Sequence, residues 1–262
     1  MEPFQDKINA LKRLNILKEH LTAAKTRSEV YQDVDTSEII NEEFTKSISH
    51  LDRKHQENIL KARNKFLEYQ KMIKKPGWKL EKEIKYKSST GKLWSNIDKK
   101  TGLNGILRKI EIDVPHQPAC DFFKDEIKFA KLNDNLKETK IVEDLKNDSS
   151  YVYHCFKGNL VVSDRDFSLF KHCFTLPDKR FAIVSFSVVH PKMPERRKKV
   201  RAHADLSVYI ITKIAENKIL VETIQNGDPK GIIPTALVNN RATKQLDALD
   251  QIKRHLEKTI SR

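Results

Sequence analysis

The chain has 262 residues, with 50 Lys and Arg against 36 Asp and Glu and a net charge of +14. That length exceeds one ordinary domain of about 150 residues but suits a single large core with an appendage. The excess of positive charge favours an anionic partner, such as phospholipid headgroups or nucleic acid, without choosing between them. Cys120, Cys155 and Cys173 show no CxxC spacing. They argue against a disulfide framework or a zinc cluster and suit buried free thiols in a reducing compartment. The N-terminal stretch carries a charge every three or four residues, and no run of about 20 apolar residues occurs, so neither a secretory signal nor a membrane span is expected. A soluble, cytoplasmic protein follows as the expectation.

In chain order, Phe4, Ile8, Leu11, Leu14, Leu17 and Leu21 recur at helical spacing and predict an amphipathic helix to about Ala24. A second periodic run starts near Thr36, with Ser37 as N-cap. It passes through Ile39, Phe44, Ile48, Ile59, Phe66 and Met72 before Pro76-Gly77 stops it, as one bent helix or two. These residues predict a helical extension over 1–75, either a packing appendage or a hairpin for self-association or partner binding.

From Trp78 the period shortens. Trp78 to Tyr86, Leu93 to Ile97 and Ile106 to Val114 read as a strand meander separated by turn formers, and Ala119 to Phe129 reads as a short helix with an aromatic face. Strands resume at Glu138 to Glu143 and at Tyr151 to Phe174, where Val161-Val162 counts as strand. They continue at Phe181 to Val189, Val200 to Ile211 and Ile219 to Ile224. Pro234 then opens a long amphipathic helix through Leu237, Leu246, Leu249, Ile252, Leu256 and Ile260. Seven to nine antiparallel strands with few covering helices must curl around the longest helix to bury one face. An incompletely filled interior of that kind has room for an apolar guest.

Several motifs occur in a distinctive order: IDKKTGL at Ile97 to Leu103, NDNLKETKIVE around Asp134, SDRDF at Ser163 to Phe167, FSVVHP at Phe186 to Pro191, VRA at Val200 to Ala202 and DPKGIIPTALVNN at Asp228 to Asn240. From about Trp78 onward the chain resembles the START (steroidogenic acute regulatory protein related lipid transfer) domain, nearest in pattern to the phosphatidylcholine transfer branch. The resemblance implies an α+β helix-grip fold over 76–262: a curved antiparallel sheet around a C-terminal helix, enclosing a tunnel for one lipid. It also implies a lipid carrier with bound lipid as ligand and no other cofactor.

Carried over position by position, the resemblance gives a partial lipid site. Asp134 keeps the acid of the family's Trp-Asp pair while Asn133 replaces the aromatic, and Ala130 stands where phosphatidylcholine binders resemble one another in carrying Arg. His154 falls at a headgroup-facing position, Phe167 at an aromatic of the choline cage, and Ser185 where ceramide binders have Asn. Arg201 is a candidate phosphate or carboxylate partner. In the alternative reading His154 is an ordinary strand histidine, Ser185 faces outward and Arg201 pairs with an acid such as Asp166. Lys192, Arg196, Arg197, Lys198 and Lys199 form a basic segment, either an anionic-membrane docking surface or a solvated turn. No GxSxG, HExxH, phosphate loop or paired-carboxylate motif occurs, so neither an enzyme nor a metal site is expected, and surface aromatics interleaved for nucleic acid are lacking. The expected function is transfer of a single glycerophospholipid between membranes. The alternatives are a lipid sensor signalling through the N-terminal helices or a sterol or ceramide carrier.

Overall fold

A computed structural model describes residues 34–86, 89–97, 104–146, 148–159, 162–231, 233 and 235–260. The expected helix from Phe4 to Ala24 and residues 98–103 of the IDKKTGL motif lie outside them. Three helices come first: α1 (Thr36–Ile39), α2 (Glu42–Ser47) and α3 (Arg53–Lys74). The predicted run from Thr36 to Met72 is cut twice, because Asn41 and Asp52 act as N-caps. Asn41 Oδ1 accepts the Phe44 N–H at 2.8 Å and Asp52 Oδ1 that of His55 at 3.1 Å. An Asx side chain satisfies an orphan donor at a helix start and competes with continuing the preceding turn. Beyond α3, Gly77 adopts φ of +95°, which suits a residue without Cβ. The Trp78 indole then donates back to the Met72 carbonyl at 3.2 Å, turning the chain into the sheet.

The body runs β1 (Lys79–Lys85), β2 (Thr90–Ile97), β3 (Asn104–Ile112), α4 (His116–Lys124), α5 (Glu126–Lys131), β4 (Leu136–Asp144), β5 (Ser149–Phe156), β6 (Asp164–Thr175), β7 (Phe181–Ser187), β8 (Lys199–Arg201), β9 (His203–Ala215), β10 (Lys218–Asp228) and α6 (Thr235–Ile260). These strands form one ten-stranded sheet in the order β1-β2-β3-β10-β9-β7-β6-β5-β4, antiparallel along that path. An all-antiparallel sheet was the expectation; β8 instead pairs in parallel with the start of β6. After β7 leaves β6, a loop containing Pro191 and Pro194 reverses direction, so the returning chain meets β6 in the opposite sense. The single helix expected over Ala119 to Phe129 is two, split at Asp125, whose carboxylate caps the Ile127 and Lys128 N–H groups. Val162 belongs to a turn rather than a strand, hydrogen bonded to Asn159. Gly158 is obligatory beside it, since a Cβ there would sit 1.9 Å from the Val162 carbonyl oxygen.

Strand alternation gives the sheet two different faces. The outer face packs Tyr151, Phe170, Val184, Phe186 and Val208 against Ile59, Ala62, Phe66 and Tyr69 of α3 in one continuous core. The Phe66 ring meets Phe174 edge-on at 5.8 Å. On the inner face Ile110, Val221, Ile211 and Phe181 pack against Phe122 and Phe123 of α4 and Leu249, Ile252 and Leu256 of α6. The boundary expected at residue 75 falls just after α3, which shares the outer core with the sheet.

Candidate lipid site on the inner face of the sheet

Register resolves the inner face into rows. Phe181, Ile211, Val221 and Ile110 stand opposite one another across β7, β9, β10 and β3 and are closed over by α4 and α6. The next row holds Ile183, Tyr209, Thr223 and Arg108, and the one beyond it Lys171, Ser185, Ser207 and Gln225. The face thus changes from apolar to polar over three rows. Ser185, Ser207, Tyr209 and Gln225 are half-buried, whereas Leu206, Val208 and Ile210, facing the other way from β9, are buried. Accessible surface therefore remains on the side that faces α6.

The side chains of Ser185, Ser207 and Gln225 make no hydrogen bond among the described residues. They sit on three adjacent strands, a span of about 10 Å at the usual strand spacing. The Thr223 hydroxyl is buried without a partner. Arg108 is 2% exposed and its positive charge faces Tyr209, whose phenol pKa is raised by burial. Tyr209 also packs edge-on against Phe129 of α5, with ring centroids 5.6 Å apart.

Beside this row lies a buried ionic cluster. Glu126, the first residue of α5, accepts from Lys171 Nζ at 2.8 Å and lies 2.7 Å from His154 Nε2. Lys171 also donates to the Lys124 carbonyl at 3.0 Å, which fixes it against the end of α4. Burial alone would raise the Glu126 carboxyl; the charges of His154 and Lys171 and their hydrogen bonds outweigh it and hold the group well below the usual range. Among the described residues no group of three or more His, Cys, Asp or Glu could hold a metal.

The residues singled out in the sequence fall in different places. His154 and Phe167 face each other across β5 and β6, with Phe167 packed edge-on against Phe156 at 5.6 Å. Ser185 is the cross-strand neighbour of Lys171, so it stands next to the Glu126 cluster that His154 belongs to without bonding to it through its side chain. Asp134 is exposed in the turn before β4 and accepts from Gln251 of α6 at 3.0 Å. Arg201 grips Asp166 in a bidentate pair at 3.0 and 3.1 Å and donates to the Met193 and Pro194 carbonyls. Its hydrogen-bonding capacity is thereby engaged by the scaffold, on the side of Asp166 and the outer-face row of Ser168 and Phe170. Arg165 likewise ties SDRDF to DPKG, donating to Ser163, Pro229 and Lys230 carbonyls.

Most of the basic segment is also bound. Arg196 and Lys199 pair with Glu138 at 2.9 and 3.3 Å, Arg196 lies 4.2 Å over the Tyr153 ring, and Lys192 pairs with Glu143 at 3.5 Å. Arg197 and Lys198 are exposed and make no ion pair among the described residues.

Residues 62–258 match the family model of the START domain. The chain belongs to the START domain family. START domain-containing protein 10 from Mus musculus and from Homo sapiens are each 26% identical to this START protein over 127 residues, 48% of the chain. The chain spans less than half, 43%, of the length of those relatives. The crystal structure of human STARD10 matches with a TM-score of 0.59 at 22% identity, covering 75% of this chain and 82% of that one. Human StAR-related lipid transfer protein 5 matches with 0.64 at 16% identity, covering 76% and 93%. At these identities the structural likeness is one of fold, and the expected helix-grip START fold is the fold observed. No described helix is long and apolar enough to cross a membrane.

Proposed function

We propose that the chain binds one glycerophospholipid between the inner face of the sheet and α6 and transfers it between membranes. The observation that carries this reading is the row Ser185, Ser207 and Gln225: half-buried, adjacent, and with side chains that lack partners among the described residues. Adjacent hydroxyl and amide groups that are accessible and not used by the protein's own side chains are free to hydrogen bond a headgroup, which supports placing one here. Lys171 in that row and Arg108 one row on bring positive charge to this polar end, which suits a phosphate. Membership of the START family supports a lipid as the ligand. Exposing two acyl chains to water at about 0.8 kcal/mol per methylene makes spontaneous exchange slow, and a protein wall that replaces bilayer contacts removes most of that cost.

Mass spectrometry of lipid co-purified with the folded chain tests this directly. One glycerophospholipid per protein is expected, and labelled phospholipid is expected to move between liposomes when the chain is added. Ser207→Phe puts a ring where the headgroup would lie, so lipid yield and transfer should fall at least about tenfold while the outer core keeps the thermal midpoint within a few degrees. Full lipid loading of that variant would place the ligand elsewhere.

A further inference from the structure

On the opposite side of the sheet a separate recess of about 320 Å³ opens between α1, the middle of α3 and the turn joining β6 to β7. Ile39, Phe174 and Leu176 line its floor with little surface exposed, and two cations, Arg63 and Lys179, stand at its rim with one acid, Glu38.

Arg63 is held in an unusual way. Its guanidinium centre lies 3.5 Å from the Phe44 ring centroid and 4.7 Å from that of Phe174, so an aromatic wall flanks it on two sides. It makes one hydrogen bond, Nη1 to the Ile39 carbonyl at 2.7 Å, and its Nε is buried without a partner. Burial lowers its pKa to about 10, which leaves it charged at neutral pH. A half-buried guanidinium without a carboxylate is costly, because its lost hydration is not replaced. The turn's own acid does not supply the missing charge: Asp178 pairs with Arg180 at 2.7 Å. Glu38 makes no ion pair among the described residues and accepts the Asp35 N–H at 3.3 Å. Lys179 is exposed, makes no ion pair among the described residues, and has φ of +68°, so the turn displays it through a backbone conformation that non-glycine residues seldom adopt.

Among the described residues neither cation has an ion pair, and together they complement a small anion. The volume is at the small end for ligand sites and suits one ring or a short chain rather than a two-chain lipid. We propose that this recess binds a small organic carboxylate, with its carboxylate between Arg63 and Lys179. The site joins the helices of residues 36–63 to the sheet, and it is independent of what the inner face binds.

Titration of the full chain with sodium phenylacetate, followed by calorimetry and by backbone amide shifts, tests the proposal. Saturable binding is expected, with the shifts concentrated at residues 174–179. Lys179→Glu, on an exposed turn, should weaken it at least about tenfold and Arg63→Gln similarly, whereas Lys192→Glu should not change it. Uncharged phenylacetamide should fail to bind, and inorganic phosphate should bind more weakly than phenylacetate. The proposal is overturned by absence of phenylacetate binding, by undiminished affinity in Lys179→Glu, or by phenylacetamide or phosphate binding as tightly.

Discussion

Glu126 shows how a single side chain can organise a polar interior. It is 6% exposed and both its oxygens are engaged, one by Lys171 and one by His154. Removing one member of such a cluster strands charge in a poorly solvated place. Lys171→Met should therefore cost about 3–5 kcal/mol in urea denaturation, and adding Glu126→Leu to it should recover much of that loss. Equal losses in the single and double variants would show that the lysine acts through its packing alone. The cluster was not legible in the sequence, because Glu126, His154 and Lys171 come from separate elements and no local spacing announces them. His154 and Ser185 were reached only through family resemblance. Their neighbours Ser207 and Gln225 needed the strand register, which a one-residue slip would have turned to the other face.

Elements were easier to read than their joints. Periodicity located the sheet strands and the closing helix, since burial of one face writes itself into the chain at a period of two or 3.6. It ran through the breaks at Asn41, Asp52 and Asp125 because an apolar stripe can continue in phase across a capped interruption; the Asx residues were the available signal. The parallel β8 was hidden for another reason: three residues carry too little pattern to show a pairing direction. Its neighbourhood is fastened to β4 by Glu138, which lies within 3.3 Å of Arg196, Lys199 and Lys140 nitrogens. Partial burial pushes the Glu138 carboxyl up, but the bonds from these three cations bring it down to about 2. The unfolded chain, with the carboxyl near its ordinary 4.5, then takes up this proton first as acid is added. The stabilisation is complete above about pH 5 and fades as the pH falls toward about 2. In Glu138→Gln, urea midpoints measured across that window should show a shallower acid slope, and an unchanged slope would assign the acid response to other carboxylates.

At the scale of the whole molecule, the net charge of +14 is a poor guide to a docking surface, because many basic side chains already hold an acid. Of the basic residues within 192–199, only Arg197 and Lys198 make no ion pair among the described residues. If this loop meets anionic membranes, Arg197→Glu with Lys198→Glu should reduce sedimentation with phosphatidylserine liposomes, by about 1 kcal/mol for each charge near the surface, without altering thermal stability. Unchanged sedimentation would make the loop a solvated turn.

The α3 core on the outer face has a further consequence. Because Phe66, Tyr69, Phe170 and Phe186 are sealed on the side of the sheet away from α6, this core braces the strands apart from the inner face. For the carrier role proposed above, a vessel braced from behind could be emptied without collapsing and would then be ready for another load.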